Sequence, residues 1–375
     1  MPGLRPDVDP EGLSEFSVVF TDRSLNHMSA QFQKVMRDIS SMLGEVYGAE
    51  EVALVPGGGT FAMEAVARQF APGRHALIVR NGWFSYRWTQ IFEAGGFAAE
   101  TTVVTARPAG NAPRAPYAPP PIEDVVARIR ETRPDLVFAP HVETSSGIIL
   151  SDEYVRELAE AAHEVGALVV LDCIASGCIW VDMAATGVDV LISAPQKGWS
   201  ASPSAGMVMM SARAAARLDE TASNSFAMDL KKWRAIMKAY EEGGHAYHAT
   251  MPTDALLGLR DAMAETREMG FEAAKDAQWR LGREVRDMLA ERGVVSVAAP
   301  GYGAPGVVVS YTDDPEVQTG RKFVAEGMQI AAGVPLQVGE GADFRTFRLG
   351  LFGLDKLKDV EGTVERLRAV LDRVL

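Results

Sequence analysis

The sequence predicts an α/β fold in which a mainly parallel sheet, covered by helices, is followed by a smaller C-terminal α/β domain. Two observations lead there. From about residue 50, short apolar runs alternate with longer amphipathic stretches, and the runs are continuous rather than alternating, as strands covered on both faces require. Past Pro252 the texture changes to a long charged helical region and a shorter tail. With 375 residues, 47% of them hydrophobic, the chain is long enough for two cores of unequal size.

Taken in order, EVALVP (51–56) reads as a strand, and a helix follows from about Gly59 through Phe70. ALIVR, a helix from Trp83, and TTVV come next. The connector RPAGNAPRAPYAPPP is too rich in proline for regular structure. Helix IEDVVARIRETR leads to strand DLVFAP, and helix DEYVRELAEAAHEVG leads to ALVVLD and then VDVLISA. Strand–helix–strand repetition of this kind implies a mainly parallel sheet. GMVMMS (206–211) returns after so short a loop that it is expected to run antiparallel. The helical region TDALLGLRDAMAETREMGFEAAKDAQWRLGREVRDMLAERG then leads into a βαβ-like tail ending in helix LKDVEGTVERLRAVLDRVL. The domain boundary is placed near residue 255, giving a large domain over 20–255 and a small one over 256–375. Residues 1–19 could pack with either.

Several functions are disfavoured at once. Net charge is −13, against the basic face that nucleic-acid binding needs. No stretch approaches the roughly twenty apolar residues of a membrane span, and the first sixteen residues lack a secretory signal pattern. Cys173 and Cys178 form neither a disulfide framework nor a zinc pattern. A cytoplasmic protein without a metal site is expected.

In an open parallel sheet, ligands bind beyond the carboxyl ends of the strands. After EVALV comes PGGGT, with Gly57, Gly58, Gly59 and Thr60 opening a helix. Such a turn suits a phosphate, through free N–H groups, the helix dipole and a hydroxyl, but a tight strand-to-helix turn needs glycine as well. The spacing matches neither the dinucleotide nor the nucleoside-triphosphate fingerprint. Asp172 ends ALVVLD, where an acid can be a helix cap, a metal ligand or the partner of a protonated heterocyclic nitrogen. Lys197 follows VDVLISAPQ, directly after an apolar strand, where burial would depress its pKa. Alone it would read as a snorkelling rim lysine. Paired with Asp172 on a nearby strand, it reads otherwise: an Asp for the ring nitrogen and a Lys for the aldehyde are what pyridoxal phosphate chemistry calls for.

The runs HVETSSG (141–147), VVLDCIAS (169–176) and LISAPQKG (191–198) resemble those of the class V aminotransferases of fold type I, which include alanine–glyoxylate, serine–glyoxylate and 2-aminoethylphosphonate–pyruvate transaminases. NGWFSYR (81–87), YHATMP (247–252) and FRLGLFG (347–353) extend the resemblance from about residue 25 to the end. It implies pyridoxal 5′-phosphate as cofactor, with Lys197 as the Schiff-base lysine and Asp172 on the ring nitrogen. Gly58, Gly59 and Thr60 would cradle the phosphate with Gln196, Phe84 would stack on the ring, Ile174 would pack on its opposite face, and Thr144 would donate to the phenolate oxygen. Tyr247 and Thr250 match residues that reach the phosphate in the neighbouring subunit, so a homodimer with shared sites is implied. Arg348 matches the arginine that holds the substrate carboxylate. The implied partners are a small amino acid and a 2-oxo acid such as glyoxylate or pyruvate.

His141 and Glu143 belong to the same motif but read equally well as a hydrogen-bonded loop. Trp83, Tyr86, Arg87, Trp88 and Trp199 flank the motifs, and one or two of them are expected in the pocket. Where the family carries a Gly-Pro-rich opening, this chain reads SVVFTDRSLNHMS (17–29), with Arg23, Asn26 and His27 as polar candidates. A cysteine desulfurase fits poorly, since the stacking position is Phe84 and no cysteine follows Cys178. A β-elimination lyase needs the same carbanion and stays as the alternative. A non-catalytic binding module sits badly with an intact Asp172–Lys197 pair.

Overall fold

The computed structural model describes residues 8–375. Seven strands build the central sheet: β1 (Glu51–Pro56), β2 (His75–Arg80), β3 (Glu100–Thr105), β4 (Leu136–Pro140), β5 (Leu168–Asp172), β6 (Val190–Ser193) and β7 (Ala205–Met210). Their order across the sheet is β1-β7-β6-β5-β4-β2-β3. Every pairing from β6 through β3 is parallel, whereas β7 runs antiparallel to both neighbours, as its short return predicts. Because β7 reverses and β1 reverses again, β1 points the same way as the parallel strands. The carboxyl ends of β1, β2, β4, β5 and β6 therefore share one edge of the sheet.

The apolar runs explain this arrangement. β4, β5, β6 and β7 are buried at every residue, which is possible only if helices cover both faces. Helices Gly59–Phe70 and Trp83–Gly95 pack side by side on the sheet, and Ile122–Thr132 packs on Asp152–Glu164. Helix Ala30–Tyr47 packs on Leu230–Glu241 and on Thr253–Met269. Ser29 and Ser151 cap their helices through Phe32 N and Tyr154 N, satisfying donors that a helix start leaves free.

Three expectations need correction. The proline-rich connector is not wholly irregular: Arg107–Pro108 pairs with Tyr117–Ala118, and Tyr117 exchanges backbone hydrogen bonds with Val297 and Ala299. Proline lacks a donor but its carbonyl still accepts. The long helical region is two helices, Thr253–Met269 and Phe271–Glu291, broken at Gly270, whose φ of 95° a helix cannot hold. The tail is not βαβ. Strands β8 (Val307–Tyr311), β9 (Ala331–Ala332) and β10 (Thr346–Gly350) form an antiparallel sheet with β10 central. The short helices Pro315–Gln318 and Arg321–Ala325 lie between β8 and β9 and are too small for a crossover.

Residues 8–29 hold no helix or strand but are tied to the main core and to the start of helix Thr253–Met269. Val8 packs on the main core, Asn26 Nδ2 donates to Glu15 at 2.6 Å, and Leu25 N donates to Asp254 Oδ1 at 2.8 Å. Residues 1–7 lie outside the described residues.

Candidate active site

A cleft of about 230 Å³ opens at the shared carboxyl edge of the sheet. Gly59, Thr60, Met63, Phe84, Arg87, Val142, Thr144, Asp172, Ile174, Ala175, Gln196 and Lys197 line it. The fold places them there because each follows a strand end: Gly59 after β1, Phe84 after β2, Thr144 after β4, Asp172 and Ile174 at β5, and Lys197 after β6.

Asp172 and Lys197 come from adjacent parallel strands, in a register that sets Ile192 beside Asp172. The Asp172 carboxylate is 7% exposed and accepts from Ile174 N at 2.9 Å. Burial pushes its pKa up to about 6, and Glu143 pushes the same way, against the Ile174 hydrogen bond, Arg87 and Lys197. Burial lowers the pKa of Lys197, Asp172 opposes that shift, and the Arg348 and Arg87 cations add to it. The Lys197 ammonium lies 5.0 Å from the Phe352 ring centroid.

The loop carrying Lys197 is held from behind. Trp199 is fully buried, 4.7 Å from Trp180 between ring centroids and close to Tyr47 and Phe271. A Cβ on Gly198 would meet the Gly177 carbonyl oxygen at 2.1 Å, so only glycine lets these two loops touch. On the far wall, a Cβ on Gly59 would meet Ile174 Cδ1 at 2.4 Å. Ile174 is thus seated directly on the start of helix Gly59–Phe70.

Glu143 does the structural work of the loop after β4. It is fully buried, and its two oxygens accept from Phe84 N (3.1 Å), Ser85 N (2.9 Å), Ser85 Oγ (2.7 Å), Ser145 N (3.0 Å) and Ser145 Oγ (2.7 Å). A carboxylate at the amino end of helix Trp83–Gly95 satisfies free donors and the helix dipole together, and it fixes where Phe84 stands. His141 is buried with Nδ1 at 2.7 Å from Ser176 Oγ, and burial lowers its pKa to about 4, so it is neutral. Both residues belong to a hydrogen-bonded loop.

Arg348, on β10, lies outside the cleft lining but beside it. Its guanidinium carbon is 5.5 Å from the Phe84 ring centroid, and its Nε donates to Ala332 O at 2.8 Å. Gly58 is the residue before the helix, adjacent to the lining. Tyr247 and Thr250 are not brought to the cleft: Tyr247 is 54% exposed and its hydroxyl lies 3.0 Å from Thr250 Oγ1. Nor are Asn26 and His27, the latter stacked beside Tyr247 at 5.5 Å, or Arg23. Of the flanking residues, Arg87 alone lines the cleft, while Trp88 and Trp199 are core and Trp83 packs on Tyr86. Met63, Val142 and Ala175 were not singled out by the sequence. Met63 stands one helical turn after Gly59, a spacing that could have shown it.

With this geometry in hand, comparison with known proteins is direct. Residues 14–333 match the family described as Aminotransferase class-V, and the chain belongs to that family. It is 27% identical over 360 residues to a 2-aminoethylphosphonate–pyruvate transaminase of Paraburkholderia phymatum, covering 94% of this chain and 92% of the relative. It is also 26% identical over 350 residues to a protein named soluble hydrogenase, small subunit, of a Synechococcus, covering 92% and 87%. In fold it superposes on an alanine–glyoxylate aminotransferase of Nostoc with a TM-score of 0.77 at 24% identity, covering 92% and 89%. The protein is thus an enzyme of the class V aminotransferase type, on the fold type I architecture. The family is generally pyridoxal-phosphate-dependent.

The buried carboxylate carries a stability consequence. Its folded pKa lies above the usual 3.8, so the folded chain binds more protons than the unfolded one between pH 4 and 6, and stability falls as pH rises through that window. Asp172→Asn, which can keep the acceptor for Ile174 N, is expected to raise the melting temperature of cofactor-free protein above pH 6. That gain should vanish toward pH 4. Thermal melts across this range check it, and a variant less stable than wild type at pH 7 would contradict it.

Proposed function

We propose that this chain uses pyridoxal 5′-phosphate, held in the cleft described, to transfer an amino group from a small amino acid to a 2-oxo acid such as glyoxylate or pyruvate. The observation that carries the reading is the convergence of Asp172 and Lys197, from neighbouring strands, on one cleft with Gly59, Thr60, Phe84 and Ile174. The donor set fits the cofactor: a carboxylate for a ring nitrogen, an amine for an aldehyde, a glycine and hydroxyl for a phosphate, and apolar walls for a ring. Pyridoxal phosphate supplies, when bound, an electron sink for the charge that develops on the substrate carbon.

The chain's own residues supply the rest. Asp172 holds a proton on the ring nitrogen, and a buried carboxylate gains most from a cationic partner. Phe84 and Ile174 would hold the ring between them, and the Thr144 hydroxyl would be available to its phenolate oxygen. Lys197 would hold the cofactor through its aldehyde. Its Nζ, whose pKa burial lowers, would be the group that takes up and returns the proton of the substrate carbon. Arg348 commits Nε to Ala332 O, leaving the two terminal nitrogens as a fork for a substrate carboxylate.

The protein works in this reading as a cytoplasmic homodimer. Cys173 and Cys178 are both free and buried, in keeping with a reducing compartment, and no helix among the described residues is long and apolar enough to cross a membrane. Phe61, exposed next to Thr60 of the cleft, supports a partner surface beside the site. The large domain ends near residue 255, and its smaller companion, over 256–375, contributes Arg348.

Borohydride reduction of the yellow protein, followed by peptide mapping, is expected to place the cofactor on Lys197 and nowhere else. A label on another lysine would overturn the assignment. The shared site has its own test. A Lys197→Ala chain mixed with a Tyr247→Phe/Thr250→Ala chain, under conditions of proven subunit exchange, should regain activity above either parent. One site of such a heterodimer collects both defects and the other collects none. Inactive heterodimers would mean that each site is built within one chain.

A further inference from the structure

We infer that Arg87 is the cation that receives the cofactor's phosphate, an inference that rests on the pyridoxal phosphate reading above. Arg87 stands three residues after Phe84 on helix Trp83–Gly95, and its side chain forms part of the cleft wall. Its Nη1 donates to Thr60 Oγ1 at 3.0 Å, and its guanidinium carbon lies 4.7 Å from the Phe84 ring centroid. The guanidinium therefore spans from the ring-stacking residue to the hydroxyl that follows Gly59.

Charge decides what it does there. The formally charged residues lining the cleft are Asp172, Lys197 and Arg87. The first two are committed to the ring nitrogen and the aldehyde. A phosphate ester carries about two negative charges at neutral pH. Without Arg87 it would meet only neutral donors on this chain: backbone N–H groups at Gly59, the Thr60 hydroxyl and the Gln196 amide. Tyr247 and Thr250, even when supplied by a second copy, are neutral as well. Arg87 forms no ion pair among the described residues, and the first turn of helix Gly59–Phe70 holds no acid to compete for it. A half-buried arginine without a carboxylate partner, its guanidinium bonded to a hydroxyl at the mouth of a helix, presents a planar fork that suits two oxygens of a phosphate. The alternative occupant is a second anionic group on the substrate, but the Thr60 contact draws Arg87 to the Gly59 end of the cleft.

The test uses cofactor-free full-length protein and two aldehydes, pyridoxal phosphate and pyridoxal, with binding read from the visible absorption of the bound aldehyde. Arg87→Met is expected to weaken pyridoxal phosphate by about ten- to a hundredfold, the loss of one charged hydrogen-bonding partner, and to leave pyridoxal unchanged. Inorganic phosphate should compete with pyridoxal phosphate for the wild type and lose that effect in the variant. Arg87→Lys, which keeps the charge without the fork, should fall between. Equal losses for both aldehydes would show a structural role and overturn the inference. So would unchanged cofactor affinity with a loss confined to substrates bearing a second anionic group. A wild type that binds neither aldehyde would instead sink the cofactor reading itself, and Arg87's role with it.

Discussion

The constraint on which the site depends is the pairing of β5 with β6. It sets Ile192 beside Asp172 and places Lys197 in the loop that leaves β6, four residues past Ser193. Neither residue is comfortable there. Burial pushes the carboxyl up and the amine down, each toward neutrality, and the fold holds both where water would have served them better. In the pyridoxal phosphate reading one ligand would relieve both costs, since a cationic ring nitrogen would stabilise the carboxylate and an imine would take the place of the buried ammonium. Stability is given up for function at these positions.

What surrounds the pair serves to keep it from relaxing. Trp199 anchors the lysine loop into an aromatic cluster with Trp180, Tyr47 and Phe271. The Gly198–Gly177 contact leaves no room for the loop to slide. Across the cleft, Glu143 ties the β4 loop to helix Trp83–Gly95 through five hydrogen bonds, so one buried carboxylate fixes both the Phe84 wall and the loop that carries Thr144. Such second-layer contacts hold reacting groups within the narrow tolerance that catalysis needs.

Much of this was legible in the sequence, for identifiable reasons. Strands β4 to β7 are fully buried, so their apolar runs are unbroken, and the residues after them fall at the active edge by topology. That Asp172, Lys197, Gly59 and Thr60 share one cleft could be anticipated because each lies at or just after a strand end. The antiparallel tail was not, since nothing in VVVSY or TFRLG fixes strand direction, and the two short helices and β9 that connect them carry no pattern that does so. Arg87 was visible only as a neighbour of a motif. Its significance lies in reaching Thr60, 27 residues earlier in the chain, and no local pattern encodes that contact. Tyr247 and Thr250 stand outside the cleft of a single chain, and sequence patterning cannot say what a second copy would add there.

The central claim is that Asp172 exists to keep the cofactor's ring nitrogen protonated. The most direct measurement is the chemical shift of that nitrogen in protein loaded with 15N-labelled pyridoxal phosphate, followed from pH 6 to pH 9. The account predicts a protonated nitrogen throughout in the wild type and an unprotonated one in Asp172→Asn at the upper end of the range, with Lys197 still carrying the cofactor in both. The same shift in both proteins would contradict it, reducing Asp172 to a buried acceptor for Ile174 N.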